Sequence, residues 1–261
     1  MIICKSPAEI EKLRRSGQIV RQILEEIRAR VEAGVTTLEL EEFAAARVRK
    51  LGVRPAFKGY RGYPCCLCAS VNEEIVHGIP SPRALEPGDI VSLDMGVIAD
   101  GYYGDSALTV PVGEISEPLQ RLVRVTEESL QLAIKQACVG NRLGDISSAV
   151  QRHAEEAGFS VVREFVGHGI GRAMHEDPQV PNFGKAGHGP VLKEGMVLAI
   201  EPMVNAGGPE VRVLADQWTA VTADGRCSAH FEHMIAVTRH GPDVLTEFQE
   251  VTCALAGGRP L

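Results

Sequence analysis

The stretch that decides the fold is Gly88–Val110, GDIVSLDMGVIADGYYGDSALTV. Apolar runs flank Ala99-Asp100-Gly101, so the segment predicts two antiparallel strands joined by a tight turn. Two aspartates interrupt these apolar strands. The midpoint between Asp94 and Asp105 is 99.5, inside the turn. A regular hairpin would set them face to face, with Cβ atoms roughly 4.5–5.5 Å apart. Like charges so placed are destabilising unless a bulge shifts the register, one acid is protonated, or a cation is bound. Strands otherwise built of Ile, Val, Leu and Tyr favour the cation.

Around this hairpin the chain runs twice through one scheme. Ile10 through about Val31 carries apolar residues at helical spacing: Ile10, Leu13, Gly17, Val20, Leu24 and Ile27. Thr36 or Thr37 can cap a second helix that runs to Gly52. After the hairpin, a helix near Leu119–Cys138 ends at Gly140, and another, capped by Asp145, ends at Gly158. Gly34 to Gly52 and Gly140 to Gly158 are both separations of 18. Asp94 follows Gly88 by six residues, as Glu201 follows Gly195. Asp105 and Glu232 each precede an apolar strand tail. In the same order these coincidences predict a duplicated α-α-β-β unit of roughly 110 residues, packed about a pseudo-two-fold axis. No Pro/Ser-rich linker divides the halves, approximately 1–115 and 116–250, so residues 1–261 read as a single domain. The tail ALAGGRPL reads as frayed.

Duplication brings equivalent positions together at the axis, and here they are acids: Asp94 with Glu201, Asp105 with Glu232. A single buried glutamate is usually salt-bridged; four acids in apolar strands at repeat-related positions strain that explanation. Two divalent cations balance four carboxylates and one does not. Oxygen-rich ligation with one or two imidazoles suits Mn, Fe, Co or Zn, and a two-metal pair generates hydroxide near neutral pH. The segment EFVGHGIGRAMHEDP, Glu164–Pro178, supplies imidazoles. His168, in a Gly-rich turn after a strand, reads as the nitrogen ligand. His175 reads as a hydrogen-bond donor to developing oxyanion charge.

Composition excludes other classes. The 261 residues are 44% hydrophobic and carry a formal charge of −7, which disfavours nucleic-acid binding as the main business. No signal peptide is visible, and no apolar run approaches the roughly 18 residues of a membrane span. Seven cysteines, an odd number, fit a reducing compartment, so a cytoplasmic location is expected. The cluster Cys65, Cys66 and Cys68 invites a zinc reading. Adjacent ligands fit a tetrahedral site poorly, and no second C-x-x-C completes it.

At these residues the chain resembles the methionine aminopeptidases of type I, in their minimal bacterial form. SVNEEIVHGIP, SLDMGVIADGYYGDSALT, VGHGIGRAMHEDPQVPNFG, GMVLAIEPM and FEHMIAVT fall in the family's order along nearly the whole chain. The resemblance implies an α+β pita-bread fold, with two pseudo-two-fold-related α-α-β-β halves around a central antiparallel sheet and a dinuclear metal centre. By motif, Asp94 would chelate one metal, His168 and Glu201 the other, and Asp105 and Glu232 would bridge both. Glu201 would also shuttle a proton for a bridging hydroxide. His175 would stabilise the tetrahedral intermediate, and His77 would contact the scissile amide. Tyr60, Tyr63, Cys68, His77 and Trp218 would line the methionine pocket, where aromatic and sulfur groups suit a thioether.

The implied reaction is release of the initiator methionine when the second residue is small. The implied cofactors are two divalent ions (Co, Mn, Fe or Zn), and the implied partners are nascent polypeptide N-termini near the ribosome, with the enzyme a monomer. Two positions depart from the bacterial pattern: Arg61 where histidine is common, and Met174 where an aromatic residue is common. Neither is a ligand position, so both bear on specificity. A prolidase or aminopeptidase P would use the same five ligands but usually carries an additional N-terminal domain. A non-catalytic, ribosome-associated module should have lost ligands, and all four acids and the imidazole stand.

Overall fold

A computed structural model of the chain describes residues 1–247; the ALAGGRPL tail lies outside the described residues. Helix α1 (Pro7–Arg28) begins earlier than its apolar stripe. Ser6 caps it, Glu9 reaches back to the Ser6 N–H at 2.9 Å, and Pro7 fits the first turn. The buried stripe is Leu13, Gly17, Val20, Leu24 and Ile27, with Ser16 and Ile23 added. Helix α2 (Thr37–Lys50) is capped by Thr36. Thr37 turns its hydroxyl to the Ser81 carbonyl at 3.1 Å instead.

Helices α3 (Glu117–Gln136) and α4 (Leu143–Glu156) repeat the pair and pack together. Asp145 is not the cap of α4. It lies in the first turn and accepts from the N–H of Arg142 at 2.7 Å, while its second oxygen accepts from Gly187 at 2.7 Å. A carboxylate three residues inside a helix satisfies the orphan donor from within.

Strand β1 (Leu67–Val71) pairs with β2 (Ile90–Ala99), which forms the expected hairpin with β3 (Tyr102–Pro111). Asp100 and Gly101 adopt φ of 51° and 80°, the left-handed values a two-residue turn demands. The turn is therefore centred one residue later than the symmetry of the aspartates suggests. Asp94 pairs with Ala107 and Asp105 with Gly96. The two acids are diagonal neighbours on one face, at roughly 7–8 Å rather than in direct opposition.

The second half repeats the pairing without the tight turn. Strand β6 (Val197–Ile200) pairs antiparallel with β7 (His233–Thr238), and residues 201–232 intervene. The two pairs meet where Ala107 bridges to Glu232. Ser106 donates to the Glu232 carbonyl at 2.8 Å, and Thr109 donates to that of His230 at 2.8 Å. Helix α1 packs against β2 and β3, and one buried apolar cluster runs from Val20 through Leu93, Leu130 and Ile146 to Val237.

Candidate metal centre

The seam between the two strand pairs floors a cavity of about 310 Å³, which collects every candidate ligand, catalytic and pocket residue named from the sequence. Asp94, Asp105, His168, Glu201 and Glu232 line it together with Tyr60, Tyr63, Cys68, His77, His175 and Trp218. Ligand atoms of Asp105, His168 and Glu232 all lie within 4.8 Å of one another. Nε2 of His168 is 3.9 Å from Oδ2 of Asp105 and 3.5 Å from Oε1 of Glu201. Asp94 joins them from the diagonal position on β2.

His168 lies in a strand, β4 (Gly167–Gly169), and not in a turn. That strand is held between β6 and β5 (Glu176–Val180). Its flanking glycines have no left-handed φ. A Cβ on Gly167 would strike the Ala199 carbonyl, and one on Gly169 the Asp177 carbonyl. Glycine here permits close backbone approach. Nδ1 of His168 bonds the Gly169 carbonyl at 2.9 Å. A carbonyl only accepts, so the proton sits on Nδ1 and Nε2 presents its lone pair to the acids. Burial, with the nearby His175, holds the His168 pKa down at about 4, so the ring is neutral at pH 7.

The carboxylates are placed where charge is expensive. Oδ1 of Asp94, Oδ1 of Asp105 and Oε1 of Glu232 are buried with no hydrogen-bond partner. Burial pushes Asp94 up to about 7. Burial, and then the charges of their neighbours, pushes Asp105, Glu201 and Glu232 well above the usual carboxylate range. Orphaned acid oxygens facing an imidazole lone pair fit divalent cations, which supply the missing positive charge and replace the absent hydrogen bonds.

At the mouth, the Tyr60 hydroxyl bonds Nδ1 of His175 at 2.8 Å, and the His175 ring lies 4.3 Å from that of His168. Partial burial and then the Arg61 charge lower the His175 pKa. His77 sits edge-on to Phe165 and Trp218, its pKa lowered by burial to about 4. Tyr63 spends its hydroxyl on the carbonyls of Leu67 and Gly78, so it offers the cavity only its ring. Sequence reasoning missed Phe57, Val76, Phe165 and Val166, which complete the apolar wall. Phe165 stands just before VGHG, and its neighbourhood to His168 was its only signal.

This fold and donor set define a class: the chain belongs to metallopeptidase family M24, whose model matches residues 11–239. Within it, the chain is 53% identical over 246 residues to methionine aminopeptidase 1 of Bacillus subtilis, covering 94% of this chain and 99% of that one. It is 51% identical to a methionine aminopeptidase of Clostridium perfringens, with the same coverage. The crystal structure of a Thermotoga maritima methionine aminopeptidase superposes with a TM-score of 0.93 at 50% identity, covering 94% of this chain and 99% of that one. The prolidase of Pyrococcus horikoshii shares the fold at TM-score 0.76 and 23% identity; this chain spans 65% of it. The fold is the pita-bread arrangement expected from the sequence.

Proposed function

We propose that this chain is a metal-dependent aminopeptidase that removes the N-terminal methionine of nascent proteins when the second residue is small. The observation that carries the reading is one cavity with an acid-and-imidazole floor and an aromatic, sulfur-lined wall. Asp94, Asp105, His168, Glu201 and Glu232 would hold two divalent ions, drawn from Co, Mn, Fe or Zn. Bound there, such ions supply Lewis acidity and lower the pKa of water.

The protein's own groups do the rest. Glu201, whose second oxygen is not committed to His168, moves a proton from water to the departing amine. With Tyr60 donating to Nδ1, neutral His175 carries its proton on Nε2 and donates to the carbonyl oxygen as charge develops there. His77 contacts the scissile amide from the facing wall. Tyr60, Tyr63, Cys68, His77 and Trp218 enclose the methionine side chain, joined by Phe57 and Phe165. Residues 1–261 act as one domain and as a monomer. The enzyme works in the cytoplasm, near the ribosome where new N-termini emerge; among the described residues no helix is long and apolar enough to cross a membrane.

The test strips the purified protein with a chelator and adds back Mn, Co, Fe or Zn with Met-Ala-Ser as substrate. Metal-dependent methionine release, lost in Glu201→Ala, supports the reading. Cleavage of a Gly-Pro dipeptide in its place would turn it toward prolidase.

A further inference from the structure

The cavity mouth carries a cation that the reaction above does not use. Among the described residues, Arg61 is the one arginine or lysine lining the cavity. Arg14, Arg15, Arg21 and Arg47 each pair with a carboxylate. Arg61 has no carboxylate within ion-pair distance among the described residues. Its backbone is left-handed, φ 48° and ψ 23°, between Gly59 and Gly62, which also have positive φ. A side chain here costs conformational free energy that glycine would not. The turn is nonetheless fixed: the Gly59 N–H donates to the Tyr63 carbonyl at 2.8 Å, and Tyr63 to Tyr60 at 3.0 Å. The guanidinium lies 5.4 Å from the centre of the Tyr60 ring, and Tyr60 in turn holds His175.

We propose that Arg61 selects substrates by binding a carboxylate that the peptide carries beyond its second residue. The proposal rests on the aminopeptidase reading. On that reading methionine sits among Tyr63, Cys68, His77 and Trp218, with Tyr60 at the edge of that pocket, and the peptide beyond the scissile bond runs past His175 and Tyr60 toward Arg61. The steps along that wall are short: 4.3 Å from His168 to His175, 5.4 Å to Tyr60 and 5.4 Å to the guanidinium. From His175, beside the scissile carbonyl, only the last two steps remain. They equal about three residue advances at roughly 3.3–3.6 Å each, so a carboxylate on the third or fourth residue comes within side-chain reach. A planar guanidinium with an open face binds a carboxylate through two parallel hydrogen bonds. An acidic side chain and a free C-terminus offer that same group. Glu164, the exposed acid on the rim, works against the preference.

The experiment compares kcat/KM of the metal-loaded enzyme for Met-Ala-Asp amide and Met-Ala-Lys amide at low ionic strength. The expected ratio is about two- to fivefold in favour of the acidic peptide, the size of a partly exposed ion pair. It should shrink at 0.5 M salt as screening sets in. In Arg61→Gln the ratio falls toward one, and in Arg61→Glu it inverts; Glu164→Gln raises it. Met-Ala-Ser as free acid against its amide tests the C-terminal source in the same way. A ratio at or below one in the unaltered enzyme, or one that survives in Arg61→Gln, overturns the proposal. If none of the peptides is cleaved with any metal, the aminopeptidase reading itself falls.

Discussion

Nε2 of His168 stands 3.5 Å from Oε1 of Glu201, close enough to share a cation and without the hydrogen bond that would let the pair stand alone. The three neighbouring acids have orphaned oxygens of their own. The centre is therefore unstable as an ionised cluster, and its stability depends on pH and metal together.

Metal removal should reverse the pH dependence of stability above neutrality. Burial raises Asp94 from 3.8 to about 7, and burial with the neighbouring charges pushes its three partners well above the usual carboxylate range. A raised carboxylate pKa favours the fold below the unfolded value, and that contribution is lost as pH rises through the folded value. The buried histidines act oppositely: His77 and His168, both lowered to about 4, cost stability as pH falls below 6.5. Above pH 6.5 they are neutral in both states and only the acids act. The chelated protein should lose Tm as pH rises from 6.5 through about 7, where Asp94 ionises, while the metal-loaded protein holds. Scanning calorimetry with and without chelator decides it; parallel curves would refute the linkage.

Glu176 should matter to the turn that carries His175. One carboxylate oxygen accepts from the N–H groups of Arg172 and Ala173, at 2.9 and 3.2 Å, and the other pairs with Lys5. The Lys5 side chain is only 5% exposed, so removing its partner strands a buried ammonium. Glu176→Gln should destabilise the protein by about 3–5 kcal/mol. Lys5→Met should lose less, because the carboxylate keeps its two N–H donors. Urea midpoints for the two variants give the order.

The strand that neighbours Asp94 is pinned by a side chain from α2. Glu41 accepts from the N–H of Cys66 at 2.9 Å and from that of Leu67 at 2.8 Å, and β1 then sets Cys68 against Asp94. Glu41→Ala leaves two buried donors unpaired, at about 1–3 kcal/mol each. Glu41→Gln still accepts and should lose less. Thermal melts rank the variants, and isothermal titration of Mn should show weaker binding in Glu41→Ala as β1 loosens.

Two of the candidate donors were legible in the sequence because duplication repeats them: an acid six residues after each of Gly88 and Gly195 is visible without coordinates, and the fold brings both to one cavity. The register of Asp94 and Asp105 was not. Asp100 and Gly101 take the two turn positions, and a one-residue difference in turn centre moves the pairing by two. Asp145 was misread because an acid at the cap and one at the third helical position are both common at a helix start; here it takes the second place and accepts from the N–H of the cap residue, Arg142. Glu41, Lys5 and Glu176 gave no signal at all. Glu41 reaches a strand 25 residues away and Lys5 meets Glu176 across 171, and only the folded chain brings them together.

The glycines beside His168 show most directly how backbone packing positions the centre. The sequence suggested a flexible turn, which would tolerate alanine with modest strain. The structure instead presses the carbonyl of Asp177 against Gly169 and that of Ala199 against Gly167. Backbone cannot yield as a side-chain tip can, so a methyl at either position must separate β4 from a neighbouring strand. Gly169→Ala should therefore cost about 1–3 kcal/mol or more and move the carbonyl that fixes the His168 tautomer, weakening metal binding as well. Gly187→Ala is the contrast: its φ is 75° but nothing lies within 4 Å of the added carbon. It should cost about 1–2 kcal/mol of strain with metal affinity unchanged. Chemical denaturation and Mn titration of both variants separate the accounts. If Gly169→Ala binds Mn as tightly as the unaltered protein, close strand packing is not what seats His168.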